Sequence, residues 1–97
     1  MIPVIFSPRA DADLEEIGDS IALNSPAAAK KVVAQLRIRA LKIGYMPRAY
    51  PPRGDLSPGL RAMNWRPYIV FFRVTRTQVE VARIVHGARD LNRLFES

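Results

Sequence analysis

A helical period in the apolar positions predicts two helices in the first half of the chain. The first is expected to run from Pro8 to near Leu23 or Asn24, and the second to begin at Pro26. A serine precedes each proline and can cap the helix, and proline fits the first helical position. Gly44 is expected to end the second helix. Because the connection is short, the two helices should form an antiparallel hairpin.

The second predicted helix carries two apolar rows on roughly opposite faces. The main stripe, expected to pack on the sheet, comprises Ala29, Val32, Val33, Leu36, Ala40 and Ile43. The sparser row comprises Ala34, Ile38, Leu41 and Tyr45. Two interpretations of the sparser row stay open: the first helix covers it, or it is exposed. An exposed apolar row usually marks an interface.

Strand-like patterns flank the helices and dominate the second half of the chain. A short strand is predicted over Met1–Phe6, and three more over Leu60–Trp65, Tyr68–Val74 and Val79–Val85. A last short helix is predicted over Ala88–Glu96. The proline- and glycine-rich segment before the second strand is expected to be a surface loop. The fold class is therefore α+β, in the order β-α-α-β-β-β(-α), with a helical hairpin on a small, largely antiparallel sheet.

Composition narrows the class of protein. With 97 residues and 48% hydrophobic residues, the chain is expected to form one domain over residues 1–97. It has no cysteine, which excludes disulfides and thiolate metal sites, and no apolar run suits a membrane span or signal peptide. A cytoplasmic location, no metal and no cofactor are therefore expected.

The charge is unevenly distributed along the chain. The net charge is +6, but residues 1–29 carry −4 and residues 30–97 carry +10. A basic body of this kind attracts polyanions, either nucleic acid or an acidic protein segment. Direct nucleic-acid binding is one open alternative, suggested by charge alone.

Five segments, in this order, resemble the ParE/RelE toxin superfamily, and its ParE branch most. They are SPRADADLEEIGDSIA, SPAAAKKVVAQL, PGLRAM, YIVFFRV and VEVARIVHGARD. The resemblance implies a toxin of a type II toxin–antitoxin module that is neutralised by a cognate, ParD-like acidic antitoxin. For the ParE branch it implies inhibition of DNA gyrase. For the RelE branch it implies ribosome-dependent cleavage of mRNA, which remains the alternative.

A metal-independent ribonuclease needs an acid, a base and cations near the scissile phosphate. The candidates are His86, Arg61, Arg73 and Arg83, since each arginine lies on a predicted strand and the three heads could gather on one sheet face. RelE-like ribonucleases often carry a tyrosine near the position of His86, whereas here no tyrosine follows Tyr68. This departure favours a gyrase inhibitor without an active site of its own.

The same residues also supply candidate binding surfaces. The three strand arginines could hold carboxylates of the antitoxin. If the sparser row is exposed, Ile38, Leu41 and Tyr45 are expected to form part of a groove on the toxin that receives the antitoxin. The basic end of the chain is expected to contact the target, through His86, Arg89 and Arg93. Trp65, Tyr68, Phe71 and Phe72 are expected to pack in the core rather than to stack on bases.

Overall fold

A four-stranded mixed sheet with a helical hairpin on one face forms the body of the protein, in a computed structural model that describes residues 1–95. The strand order is β1-β4-β3-β2, with β2, β3 and β4 antiparallel and β1 parallel to β4. The strands are β1 (Val4–Phe6), β2 (Arg61–Trp65), β3 (Tyr68–Val74) and β4 (Val79–His86). The predicted α+β fold class and the largely antiparallel sheet are confirmed.

Three helices accompany the sheet: α1 (Pro8–Ala22), α2 (Pro26–Lys42) and the short α3 (Leu91–Leu94). Both predicted caps are present. The Ser7 hydroxyl accepts a hydrogen bond from the backbone N–H of Ala10 at 3.0 Å, and that of Ser25 accepts from Ala28 at 3.1 Å. Each bond satisfies a donor that the first helical turn leaves unpaired. The helix predicted at the end of the chain is shorter than expected, and its predicted end at Glu96 lies outside the described residues.

The main core lies between the helical hairpin and the sheet. Leu14 of α1 and Leu36 of α2 meet the strands there, and both are almost completely buried. The other buried members are Ala10, Ala40, Ile43, Met63, Val70, Phe72, Val79, Val81 and Ile84. The predicted main stripe of α2 therefore does face the sheet.

A smaller apolar cluster lies on the opposite face of the sheet. Its buried members are Leu60, Ala62, Phe71 and Val85. The loop before β2 covers this cluster with Leu56, and the end of the chain covers it with Leu91, Leu94 and Phe95. The rings of Phe71 and Phe95 meet edge to face at 5.1 Å. Short elements thus cover the face of the sheet that the hairpin leaves open.

A bulge in β4 changes which of its side chains share a face. Phe72 pairs with Val81 and Phe71 pairs with Arg83, so Ala82 is an extra residue between them. Val81 lies in the helix-side core, whereas Val85 lies in the opposite cluster. The alternating sequence of this strand predicts that Val79, Val81, Arg83 and Val85 share one face. This prediction is wrong, because the bulge interrupts the alternation.

Gly44 has a different role from the predicted one. Helix α2 does end beside it, at Lys42, and a 3₁₀ turn follows over Ile43–Tyr45. The only glycine with a positive φ among the described residues is Gly59, so Gly44 does not end the helix through a left-handed conformation. A Cβ at Gly44 would instead collide with the backbone oxygen of Ile2. Glycine is needed here because the chain before β1 passes against the end of α2.

Candidate functional site

The sparser apolar row of α2 is exposed to solvent. Helix α1 does not cover it: Ile38 is 45% exposed, Leu41 44% and Tyr45 68%. Met46, which follows the row, is 68% exposed. Of the two interpretations that the sequence left open, the structure selects the exposed one. The row (Ala34, Ile38, Leu41 and Tyr45, with Met46) is called the α2 ridge below.

A shallow groove between α1 and α2 runs beside the α2 ridge. It encloses about 560 Å³, and Ala34 belongs to both surfaces. Its floor consists of small and branched apolar side chains, including Ala22, Ala29 and Val33. Charged side chains line its rim at Asp19, Lys30 and Arg37. The groove and the ridge together form one apolar surface with a mainly basic border.

The three strand arginines do not gather on one face of the sheet. The Arg61 guanidinium donates a hydrogen bond to the backbone oxygen of Tyr50 at 2.7 Å. The Arg73 guanidinium donates to the Ser57 hydroxyl and to the backbone oxygen of Pro58. Each of these two arginines ties a strand to a different part of the loop before β2. The prediction that the three guanidinium groups gather on one face of the sheet is therefore wrong.

Arg83 takes part in a buried ion pair. Its guanidinium donates two hydrogen bonds to the Asp13 carboxylate, at 2.9 and 3.1 Å. The Asp13 side chain is 2% exposed and also accepts from the backbone N–H of Ile84 at 2.9 Å. Arg9 lies 3.5 Å from the same carboxylate. Asp13 thus fastens α1 to the bulged part of β4, and Arg83 balances its buried charge.

His86 lies at the end of β4, exposed to solvent and beside an aromatic residue. Its register partner across β3 is Tyr68, and the two rings meet edge to face at 5.9 Å. Trp65 lies 6.4 Å beyond Tyr68, and the Arg39 guanidinium stacks over the Trp65 ring at 4.8 Å. The His86 Nδ1 accepts a hydrogen bond from the backbone N–H of Ala88 at 3.1 Å.

The order of residues along the chain does not reveal this arrangement. Tyr68 precedes His86 by eighteen residues, but the β3–β4 hairpin pairs them directly. Counting the register back from the turn at Thr75–Gln78 would pair Tyr68 with Val85, and only the bulge at Ala82 shifts its partner to His86. Phe71 and Phe72 are completely buried, as expected, whereas Trp65 and Tyr68 are only partly buried.

A small cavity of about 190 Å³ lies between α1 and this end of the sheet. Its apolar wall comes from Ile17 and Ile21 of α1, and Tyr68 and His86 form part of the opposite wall. Arg89 also lines it, so two of the three residues expected to contact the target adjoin one cavity. Arg93 is exposed on α3 and does not line the cavity.

Residues 1–95, which the structure describes, contain neither a metal cluster nor a membrane-spanning helix. No group of three or more His, Cys, Asp or Glu side chains in this range could hold a metal ion. No helix in this range is long and apolar enough to cross a membrane.

The chain is similar over most of its length to toxins of the ParE and RelE type. The sequence model described as "ParE toxin of type II toxin-antitoxin system, parDE" matches residues 4–91. The toxin RelE2 of Caulobacter vibrioides is 35% identical over 91 residues, which cover 92% of this chain and 99% of that protein. The toxin ParE3 of the same organism is 31% identical over 91 residues, covering 91% and 89%.

Solved structures agree with these sequence matches. A chain of the chromosomal ParDE toxin–antitoxin system of P. aeruginosa superposes with a TM-score of 0.78 at 25% identity, covering 89% of this chain and 96% of that one. A chain of the toxin–antitoxin complex RelBE2 of Mycobacterium tuberculosis gives a TM-score of 0.68 at 20% identity, covering 88% and 96%, and so shares the fold. The order of elements, the match over residues 4–91 and these relatives agree: the chain belongs to the ParE toxin family of type II toxin–antitoxin systems, within the ParE/RelE superfamily.

Proposed function

We propose that this toxin acts in the cytoplasm as an inhibitor of DNA gyrase, through protein contacts and without catalysis of its own. The observation that supports the proposal is that the three strand arginines already form hydrogen bonds within the toxin. Arg61 and Arg73 donate to groups of the loop before β2, and Arg83 donates to the buried Asp13 carboxylate. A ribonuclease needs free cations around the scissile phosphate. These three cations serve the fold instead.

A gyrase assay tests the proposal. Supercoiling and DNA cleavage by purified gyrase are measured with increasing amounts of toxin, and the antitoxin is then added back. Inhibition or trapped cleaved DNA that the antitoxin reverses is the expected result. A folded toxin that leaves both activities unchanged would refute the gyrase proposal.

A second candidate function is ribosome-dependent cleavage of mRNA. It is favoured by the contact between the His86 and Tyr68 rings beside Arg89, since an imidazole, a phenol and a guanidinium are groups that a ribonuclease can use. Translating ribosomes are incubated with the toxin, and transcript ends are mapped. Specific cuts that disappear in His86→Ala would establish this function, and uncut transcripts would exclude it.

We further propose that the antitoxin binds the α2 ridge and the adjoining groove. The solved relatives come from a ParDE system and a RelBE2 toxin–antitoxin complex, which supports an antitoxin partner for this chain. The ridge supplies apolar area, and its border carries Lys30, Lys31, Arg37 and Lys42. A partner helix with an apolar stripe and acidic flanks would match both features.

Of the three strand arginines expected to bind the antitoxin, Arg83 is the least available. Its side chain is 12% exposed, and its donors already meet the Asp13 carboxylate. The arginines of α2 offer antitoxin carboxylates a more accessible charge. Arg37, for example, is half exposed, with a 3.8 Å ion pair to Asp11 and its guanidinium 5.5 Å from the centre of the Phe6 ring.

A further inference from the structure

All lysines of the chain lie on one helix, α2. They are Lys30, Lys31 and Lys42. Of the 15 lysine and arginine residues only these three are lysines, whereas the arginines occur throughout the sequence from Arg9 to Arg93. The side-chain amines of this protein are therefore confined to a single surface element.

The three lysines flank the α2 ridge on both sides. Each lies three or four residues along the helix from a member of the ridge, which is the spacing of neighbouring side chains on one helical surface. Lys30 lines the groove toward α1, beside Arg37. The helical period places Lys31 and Lys42 together on the other side of the ridge. A partner that lies on the ridge would therefore have lysines along both of its sides.

The three amines are accessible and serve no contact of the fold. All three residues are exposed. Within residues 1–95, every ion pair is made by an arginine and none by a lysine. The segment 20–54, which contains all three lysines, has no Asp or Glu at all. Loss of the lysine charges would therefore break no ion pair of the described residues, yet it would change the electrostatic potential around the ridge.

We propose that Lys30, Lys31 and Lys42 are acylation sites that control antitoxin binding, an inference that rests on the proposed antitoxin site at the α2 ridge. The acyl donor is an acyl phosphate. A deprotonated Nζ attacks the acyl carbon, an amide N–C bond forms, and the C–O bond to phosphate breaks. Phosphate leaves with the electron pair of that bond and takes the proton that the amine loses. Arginine is not an acceptor, because its guanidinium stays protonated.

Acylation acts on the charge of this surface and leaves its shape intact. An acylated lysine is neutral, so the border of the ridge loses cations that would attract an acidic partner, while the arginines elsewhere keep theirs. Charges at the rim of an interface mainly set the rate of association, whereas the apolar contacts set the rate of dissociation. Acylated toxin should therefore capture its antitoxin more slowly. Bound antitoxin covers the amines, so free toxin is the form that is modified.

A protection experiment tests the modification itself. The full-length toxin is incubated with acetyl phosphate, alone and with saturating antitoxin, and peptide mapping by mass spectrometry locates the acetyl groups. We expect acetylation of the three lysines in the free toxin and its loss in the complex. Lysines that stay unmodified in the folded free toxin, or that are modified equally in the complex, would overturn the proposal.

Paired variants test the consequence of the lost charge. Lys31→Gln with Lys42→Gln imitates acylation and should slow association with the antitoxin about five-fold, as expected for two exposed charges. Lys31→Arg with Lys42→Arg keeps the charge and should leave the rate unchanged. Arg66→Gln with Arg76→Gln removes the same charge from exposed turns at opposite ends of the sheet and should also change little. Equal slowing in the two glutamine pairs would show that net charge alone matters and would overturn the proposal.

Failure of this proposal is distinguishable from failure of the proposed antitoxin site. The double variant Ile38→Asp with Leu41→Asp tests the ridge without altering any lysine. If this variant binds the antitoxin weakly while acetylated toxin binds it at the normal rate, the ridge is the antitoxin site and the lysines do not control it. If this variant binds normally, the antitoxin binds elsewhere and both proposals are wrong.

Discussion

The two apolar rows of α2 have similar composition but opposite environments. Leu36 and Ile43 on the inner row are completely buried against the sheet. Ile38 and Leu41 on the α2 ridge each keep more than two-fifths of their surface exposed. Both rows follow the same helical period, so only the neighbouring elements decide which one packs. The inner row should therefore govern stability, and the ridge should govern association.

The largest expected effect is on the inner row. Leu36→Ala would leave a cavity in the main core and should lower the free energy of unfolding by about 2–5 kcal/mol. Urea denaturation of the purified variant measures the loss. Leu41→Ala is the matched control and should change stability by less than about 0.5 kcal/mol. Equal losses in the two variants would show that the ridge is also a packing surface.

Charges on the ridge should break association while leaving the fold intact. Ile38→Asp with Leu41→Asp places two carboxylates on the surface where we expect the apolar stripe of the antitoxin. Affinity for the antitoxin should fall by about 2 kcal/mol or more, which is roughly thirty-fold, by analogy with other interface anchors. Calorimetric titration measures it, and circular dichroism checks the fold.

Arg76→Asp is a charge-matched control for that pair, because it also lowers the net charge by two and lies in an exposed turn away from α2. It should bind the antitoxin nearly as well as the unaltered toxin. If both variants weaken binding equally, net charge rather than the ridge determines affinity. If neither does, the antitoxin binds elsewhere.

Gly44→Ala probes the join between α2 and the start of β1. The added methyl group would collide with the backbone oxygen of Ile2, so the chain before β1 would have to move. We expect a loss of about 1–3 kcal/mol in the free energy of unfolding, typical of overpacking. Gly54→Ala is the control, because a Cβ there meets nothing within 4 Å. A variant as stable as this control would show that the close approach is easily relieved.

The smallest expected effect is at the start of α2. Ser25→Ala removes the hydroxyl that caps the helix and should cost about 1 kcal/mol. For a domain of this size, the melting temperature should fall by about 4–8 °C. Ser20→Ala removes an exposed hydroxyl of α1 without a capping role and should leave the melting temperature nearly unchanged. Similar shifts in both would mean that the cap contributes little.

Local chemistry made much of the fold predictable. The Ser-Pro pairs placed the starts of both long helices correctly, because capping depends on neighbouring residues alone. The near-continuous apolar run of β3 predicts a central strand covered on both faces, and Phe71 and Phe72 do contribute to opposite clusters. The single domain expected from chain length stays a prediction.

Long-range geometry explains what the sequence did not predict. The bulge at Ala82 depends on how β3 and β4 pair, and no residue type requires it. The partner of Arg83 is Asp13, seventy residues away, so its pairing could not be inferred from spacing. The exposure of the ridge depended on where α1 crosses α2. The roles assigned to the candidate site residues remain predictions, because they depend on partners.

The parallel pairing of β1 with β4 has a consequence for the order in which the protein can be made. Translation produces β1, α1 and α2 first, but β1 gains its neighbour only when Val79–His86 has been synthesised. The Asp13 carboxylate likewise lacks its ion-pair partner until Arg83 has been added. Contacts between such distant segments form late, because a long loop must close before they are made. A chain that ends before β4 would therefore have a helical hairpin without a closed sheet, and we expect interrupted synthesis to yield harmless fragments rather than toxin.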